Sequence, residues 1–131
     1  MSFKMYESVD DGENWDLKEG FGFGSFPKYL ASFTGREFIF YIEQYGVLEY
    51  GIGYLYSDDM WETYTRDVIW YPTPGYMSTL ESQIGAVQTF TGKIIVIFQV
   101  IFLPPFYQTD IKTFQAESEN DGETFITRIL P

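Results

Sequence analysis

The chain contains neither cysteine nor histidine. Without cysteine there is no disulfide and no thiolate metal site, and the redox compartment is left open. Without histidine the commonest general base and the commonest metal ligand are gone, so no metal and no other cofactor is implied. Basic residues are scarce: 8 Lys and Arg stand against 19 Asp and Glu, a formal charge of −11. Such an acidic surface excludes nucleic-acid binding through a basic face. Long apolar runs are missing as well. The longest, Ile94-Ile95-Val96-Ile97-Phe98, ends at Gln99 and is too short to span a bilayer, so no membrane partner is expected. Met1-Ser2-Phe3-Lys4 leads into a predicted strand with no apolar leader, and a cytoplasmic location is the default expectation. No helix of useful length is signalled.

Aromatic residues are plentiful, with Tyr 11 and Phe 13 in 131 residues, and they favour strands. One domain is expected at this length, with enough chain to bury a core. The clearest local pattern is an eight-residue segment that occurs three times: Ser8 to Trp15, Ser57 to Tyr64 and Ser118 to Phe125. The shared register is Ser, any residue, Asp or Asn, any residue, Gly, any residue, Thr or Asn, aromatic. Ser8, Asp10, Gly12 and Trp15 carry it first. Ser57, Asp59, Thr63 and Tyr64 carry it second, with Trp61 in the glycine position. Ser118, Asn120, Gly122, Thr124 and Phe125 carry it third. Each reads as a hairpin turn. A short acidic or amide side chain accepts backbone N–H groups, glycine supplies positive φ, and the aromatic starts the returning strand.

These three segments resemble the Asp-box, or BNR, repeat of the sialidase-like β-propellers. The first and third match well; the third has Asn120 for Asp and Phe125 for Trp, and the second departs at Trp61. In that family the boxes are structural turns on the outer strands, away from the substrate face. The resemblance therefore implies fold more than activity.

A second repeat supports the same architecture. Phe33-Thr34-Gly35-Arg36 and Phe90-Thr91-Gly92-Lys93 each read as a tight turn between two strands. Their separation nearly equals that of the boxes that follow them, the difference falling at the insertion Leu103-Pro104-Pro105-Phe106. Each unit then reads strand, Thr-Gly turn, strand, loop, strand, box, strand, at a period that suggests propeller blades. The fold class is all-β, with antiparallel four-stranded blades and about two and a half blades per chain. Residues 1–20 form a half unit, 27–72 a full unit and 78–130 a second full unit. Strands Phe38 to Ile42 and Ile94 to Phe98 are apolar on both faces, as buried strands are. Two and a half blades close no ring. A homo-oligomer is therefore expected, three chains making a six-bladed ring or a dimer hiding the same faces.

Sialidases, by resemblance, use three arginines, a Tyr–Glu nucleophile pair and an acidic acid/base. The arginines here are Arg36, Arg66 and Arg128, the last two in strands after boxes. The candidate catalytic residues are Arg36, Glu43, Glu49 and Glu81, the glutamates lying outside the boxes, since paired carboxylates run glycoside hydrolysis without histidine. The candidate ligand-binding residues are Tyr71, Tyr76 and Tyr107, loop tyrosines whose faces suit sugar rings or a protein surface. The leading expectation is a non-catalytic module for carbohydrate or a protein surface. The alternatives are a glycoside hydrolase with a site formed between chains, and an acidic decoy for a basic partner.

Overall fold

The computed structural model describes residues 2–47, 49–72, 77–79, 84–103 and 110–131. Eleven strands and no helix run through them: β1 (Phe3–Glu7), β2 (Asp16–Phe21), β3 (Ser25–Ala31), β4 (Glu37–Gly46), β5 (Glu49–Ser57), β6 (Thr65–Trp70), β7 (Met77–Thr79), β8 (Gly85–Gln88), β9 (Ile94–Leu103), β10 (Asp110–Ser118) and β11 (Ile126–Ile129). No helix of the described residues is long and apolar enough to cross a membrane.

Short turns make neighbours in sequence neighbours in space. β1 and β2 form an isolated antiparallel hairpin. β3, β4, β5 and β6 pair in order as a four-stranded antiparallel meander. β8, β9, β10 and β11 form a second. The all-β, antiparallel expectation is met; the first meander runs from Ser25 to Trp70 and the second from Gly85 to Ile129. The described strands form an open path and do not close a ring. The first strand of the second unit comes in two pieces, which the sequence did not suggest. β7 and β8 both pair with β9, and β7 also meets β5 through one parallel pair, Glu49 with Ser78, which stitches the meanders together.

Three layers result, and strand alternation sorts residues between them. Phe38, Phe40 and Ile42 of β4 join Ile52 and Tyr54 of β5 against Ile94, Val96, Phe98, Val100, Phe114 and Ala116 of the second meander. Ile39 and Tyr41 point the other way, with Leu55 and Trp61, to meet Phe3 and Phe21 of the hairpin. The run Phe38 to Ile42 is thus covered on both faces, as its composition requires. The run Ile94 to Phe98 is not. Its odd face carries Ile97 at 40% exposure, and on the same face Val87, opposite Ile95, and Ile111, opposite Ile101, are exposed too. At the layer edges β3 lies beside β8 and β6 beside β11.

β2 ends at Phe21 and β3 begins at Ser25, so three residues join the hairpin to the first meander. Gly24, at φ +79, lies so close to the Tyr41 ring that a Cβ would stand 2.6 Å from it. The Thr34-Gly35 and Thr91-Gly92 turns are equivalent: Gly35 N–H donates to the Ser32 carbonyl at 3.0 Å and Gly92 N–H to that of Thr89 at 2.9 Å.

Candidate functional site

The three eight-residue segments fold alike. Ser8 Oγ donates to Asp10 Oδ1 at 2.8 Å and accepts from Gly12 N–H at 2.8 Å. Ser57 Oγ donates to Asp59 Oδ1 at 2.8 Å and accepts from Trp61 N–H at 2.9 Å. Ser118 Oγ donates to Asn120 Oδ1 at 2.8 Å and accepts from Gly122 N–H at 2.8 Å. The acidic or amide oxygen then accepts the N–H of Asn14, Thr63 or Thr124. These bonds hold the Asp10 and Asp59 carboxyls below the usual carboxylate range, the hydrogen bonds from Asn14 and Thr63 contributing most. Successive positive φ values occur at Asp11 and Gly12, Met60 and Trp61, and Asp121 and Gly122. Trp61 therefore adopts the backbone of the glycine it replaces, at φ 67. Trp15 is exposed and bonds the Gly12 carbonyl through Nε1 at 3.1 Å. Tyr64 packs edge-on to Phe21, and Phe125 edge-on to Phe40 and Tyr54. These residues shape the turns.

Arg36 is a clamp between two of these turns. Its Nε and Nη2 donate to Asp58 at 2.7 and 2.9 Å, and Nη1 donates to the Asp121 carbonyl at 3.0 Å. Its guanidinium lies 4.4 Å over the Tyr56 ring. The hydrogen bonds from Arg36 pull the Asp58 carboxyl down, and those to Asp58 push the guanidinium up. Beside it Thr34 Oγ1 donates to Asp121 Oδ2 at 2.6 Å. Arg36 thereby locks the second segment to the third, across the first and second meanders.

A different cluster forms at Glu43, on the hairpin-facing side of the first meander. Arg66 donates to Glu43 Oε1, and the Tyr45 hydroxyl donates to Oε2 at 3.2 Å. The Arg66 guanidinium sits 3.7 Å over Phe23. Gly51 and Gly53 of β5 clear the space for it. A Cβ on Gly53 would meet the Tyr41 ring at 2.7 Å, and one on Gly51 the Tyr45 ring at 2.7 Å. Burial pushes the Tyr41 hydroxyl up to about 12, against the pull of Arg66. Burial, with the charge of Glu43 added, raises Tyr45 further still. A tyrosine nucleophile requires the opposite shift, toward phenolate. The exposed Tyr71 ring lies 5.0 Å from that of Tyr45. Glu49, at the same end of the sheet, folds over Gly46, whose Cβ would stand 2.5 Å from its carboxylate.

The candidate residues are thus divided. Glu43 and Tyr71 are brought near each other through Tyr45, while Arg36 is held at the turn end among Asp58 and Asp121. Arg66 serves Glu43, and Arg128 donates to Glu117 at 3.2 Å, so each arginine answers a different carboxylate. Glu81, Tyr76 and Tyr107 lie outside the described residues. Tyr45 and Arg66 were missed as neighbours of Glu43. The available signal was alternation: Tyr41, Glu43 and Tyr45 share one face of a strand, opposite two glycines also spaced by two. No group of acidic side chains among the described residues is arranged to hold a metal ion. No protein-family model matches the chain, and no curated protein does.

Proposed function

We propose that the chain is a non-catalytic binding module of the Asp-box, sialidase-like propeller type, and that a second copy of itself is among its ligands. One observation carries this reading. The outward face of the second meander leaves Val87, Ile97 and Ile111 exposed, while Ile94, Val96, Phe98 and Val100 on the other face of its central strand β9 are buried. The inward face of that meander is covered by another meander, and a further layer of the same kind would cover the outward one. Two supports come from the other candidates. Arg36 is consumed as a clamp between turns, and both oxygens of Glu43 are engaged. A hydrolase using these residues would first have to break those contacts.

Size-exclusion chromatography with light scattering tests the proposal. The wild-type chain is expected to run as an oligomer at micromolar concentration. The Ile97→Lys, Ile111→Lys double variant is expected to run as a monomer with an unchanged strand spectrum. A folded wild-type monomer at that concentration overturns it.

A carbohydrate reading has its own support in the Tyr45–Tyr71 pair, in which the exposed Tyr71 ring packs on Tyr45, whose hydroxyl donates to Glu43. Ring stacking next to a hydrogen-bond acceptor suits a sugar. Binding on a glycan array, lost in Tyr71→Ala, is the expected result under that reading. Turnover of a fluorogenic glycoside, lost on changing Glu43, would favour a hydrolase instead.

A further inference from the structure

The hairpin covers only part of the face on which it lies. β1 pairs β2 along one edge, and no described strand pairs with its other edge. Beside that open edge runs a groove of about 550 Å³ over β3 and β4, with Phe3, Met5, Tyr29, Ile39, Met60 and Trp61 in its lining. The groove continues the core interface in which Phe3, Phe21, Ile39 and Trp61 already pack between hairpin and first meander.

The other two units show what belongs at such an edge. β5 and β10 each lead into an eight-residue turn, and each is flanked by an antiparallel strand, β4 or β9. β1 also leads into such a turn, and its corresponding edge is bare. We infer that this edge takes an extended segment of a partner protein, added antiparallel to β1, with an apolar residue at every second position. The chemistry of the occupant is read from its equivalents. Phe38, Phe40 and Ile42 of β4, and Ile94, Val96, Phe98 and Val100 of β9, alternate in this way and bury one face in the adjoining layer. Main-chain hydrogen bonds supply affinity in such strand addition, and pockets for alternate side chains supply selectivity. β1 spans five residues, so the segment is about five residues long.

Trp61 refines the occupant. In the third segment the Phe38 ring lies directly on Gly122, where a Cβ would stand 2.1 Å from it. In the second segment no such ring is needed, because Trp61 replaces the glycine and fills the space with its own indole, 4% exposed. Its Nε1–H is buried with no hydrogen-bond partner among the described residues. An added strand must therefore carry a small residue where β4 carries Phe38. This inference uses the groove and not the outward face of the second meander, so the two stand or fall separately.

The test is amide exchange on the full chain with capped, lysine-flanked peptides copying residues 37–43. One peptide keeps the native sequence, one carries Phe38→Ala, and one scrambles the alternation. With the Phe38→Ala peptide, exchange at Phe3 to Glu7 is expected to slow by about tenfold or more. The native peptide should bind more weakly and the scrambled one not at all. Met60→Glu and Tyr29→Glu, at exposed groove residues, should each weaken binding by about tenfold. Ile97→Lys should leave it unchanged. No slowing at β1, or equal binding of the scrambled peptide, overturns the inference. Protection of β1 in the chain alone that disappears on dilution also overturns it, because a second copy would then hold the edge.

Discussion

Gly35 and Gly122 share positive φ, at +89 and +78, but not surroundings. A Cβ on Gly35 would meet open space, and one on Gly122 would enter the Phe38 ring. Alanine at Gly35 therefore bears only the left-handed backbone cost, about 1 kcal/mol. Alanine at Gly122 adds overpacking between the two meanders, for a total of about 3 kcal/mol. Urea unfolding of the two variants should show this ordering. Equal costs would mean that the Phe38 ring moves aside freely. The same contrast explains Trp61. A tryptophan is tolerated at a glycine backbone because its indole is buried against Phe21 at a centroid distance of 6.1 Å.

Between elements, the interaction that spans the turns is the Arg36 clamp. Arg36→Ala removes the paired contacts to Asp58, the bond to the Asp121 carbonyl and the packing on Tyr56 together. Asp58→Ala removes only the first of these, from a carboxylate that is largely exposed. The expected costs are about 2 kcal/mol for Arg36→Ala and under about 1 kcal/mol for Asp58→Ala. A double-mutant cycle on the pair should return a coupling below about 1 kcal/mol. A coupling as large as the whole Arg36→Ala loss would mean that the contact to the third segment contributes nothing.

For the whole molecule, pH acts on stability from both sides. Asp10, Asp58, Asp59 and Glu117 all have lowered folded pKa values, the hydrogen bonds from Asn14, Arg36, Thr63 and Lys93 being the largest causes. A depressed carboxyl contributes fully above its unfolded value, about 4, and loses that contribution as pH falls through the folded value. Melting temperature should therefore drop below about pH 4. The tyrosines act in the other direction. Burial raises Tyr29 and Tyr41 to about 12, and Tyr45 and Tyr54 higher still. Their contribution is intact below the unfolded value, about 10, and is lost as pH rises toward the folded values. Alkaline unfolding should then begin above about pH 10, with the last part of the tyrosinate absorbance appearing together with loss of strand signal. Ionisation of all 11 tyrosines near pH 10 in a chain that stays folded would contradict the burial of Tyr29, Tyr41, Tyr45 and Tyr54.

The primary structure alone determined what is local. Each eight-residue segment carries its own hydrogen-bond donors and acceptors, so Ser8, Ser57 and Ser118 make equivalent turns whatever surrounds them. The short Thr34-Gly35 and Thr91-Gly92 turns oblige the flanking strands to pair, and the order of both meanders follows. Alternation assigned Phe38 and Ile39 to opposite faces. It could not say what each face would meet, because a strand's pattern records burial and not the identity of the neighbour. Only the tertiary structure decided that Phe38 lies on Gly122, that Arg36 reaches Asp58 and the Asp121 carbonyl, and that Arg66 meets Glu43. It also decided that Ile97, in a run as apolar as that of β4, faces no further layer of the described chain. Those contacts join residues far apart in sequence, and their geometry exists only once the layers have stacked.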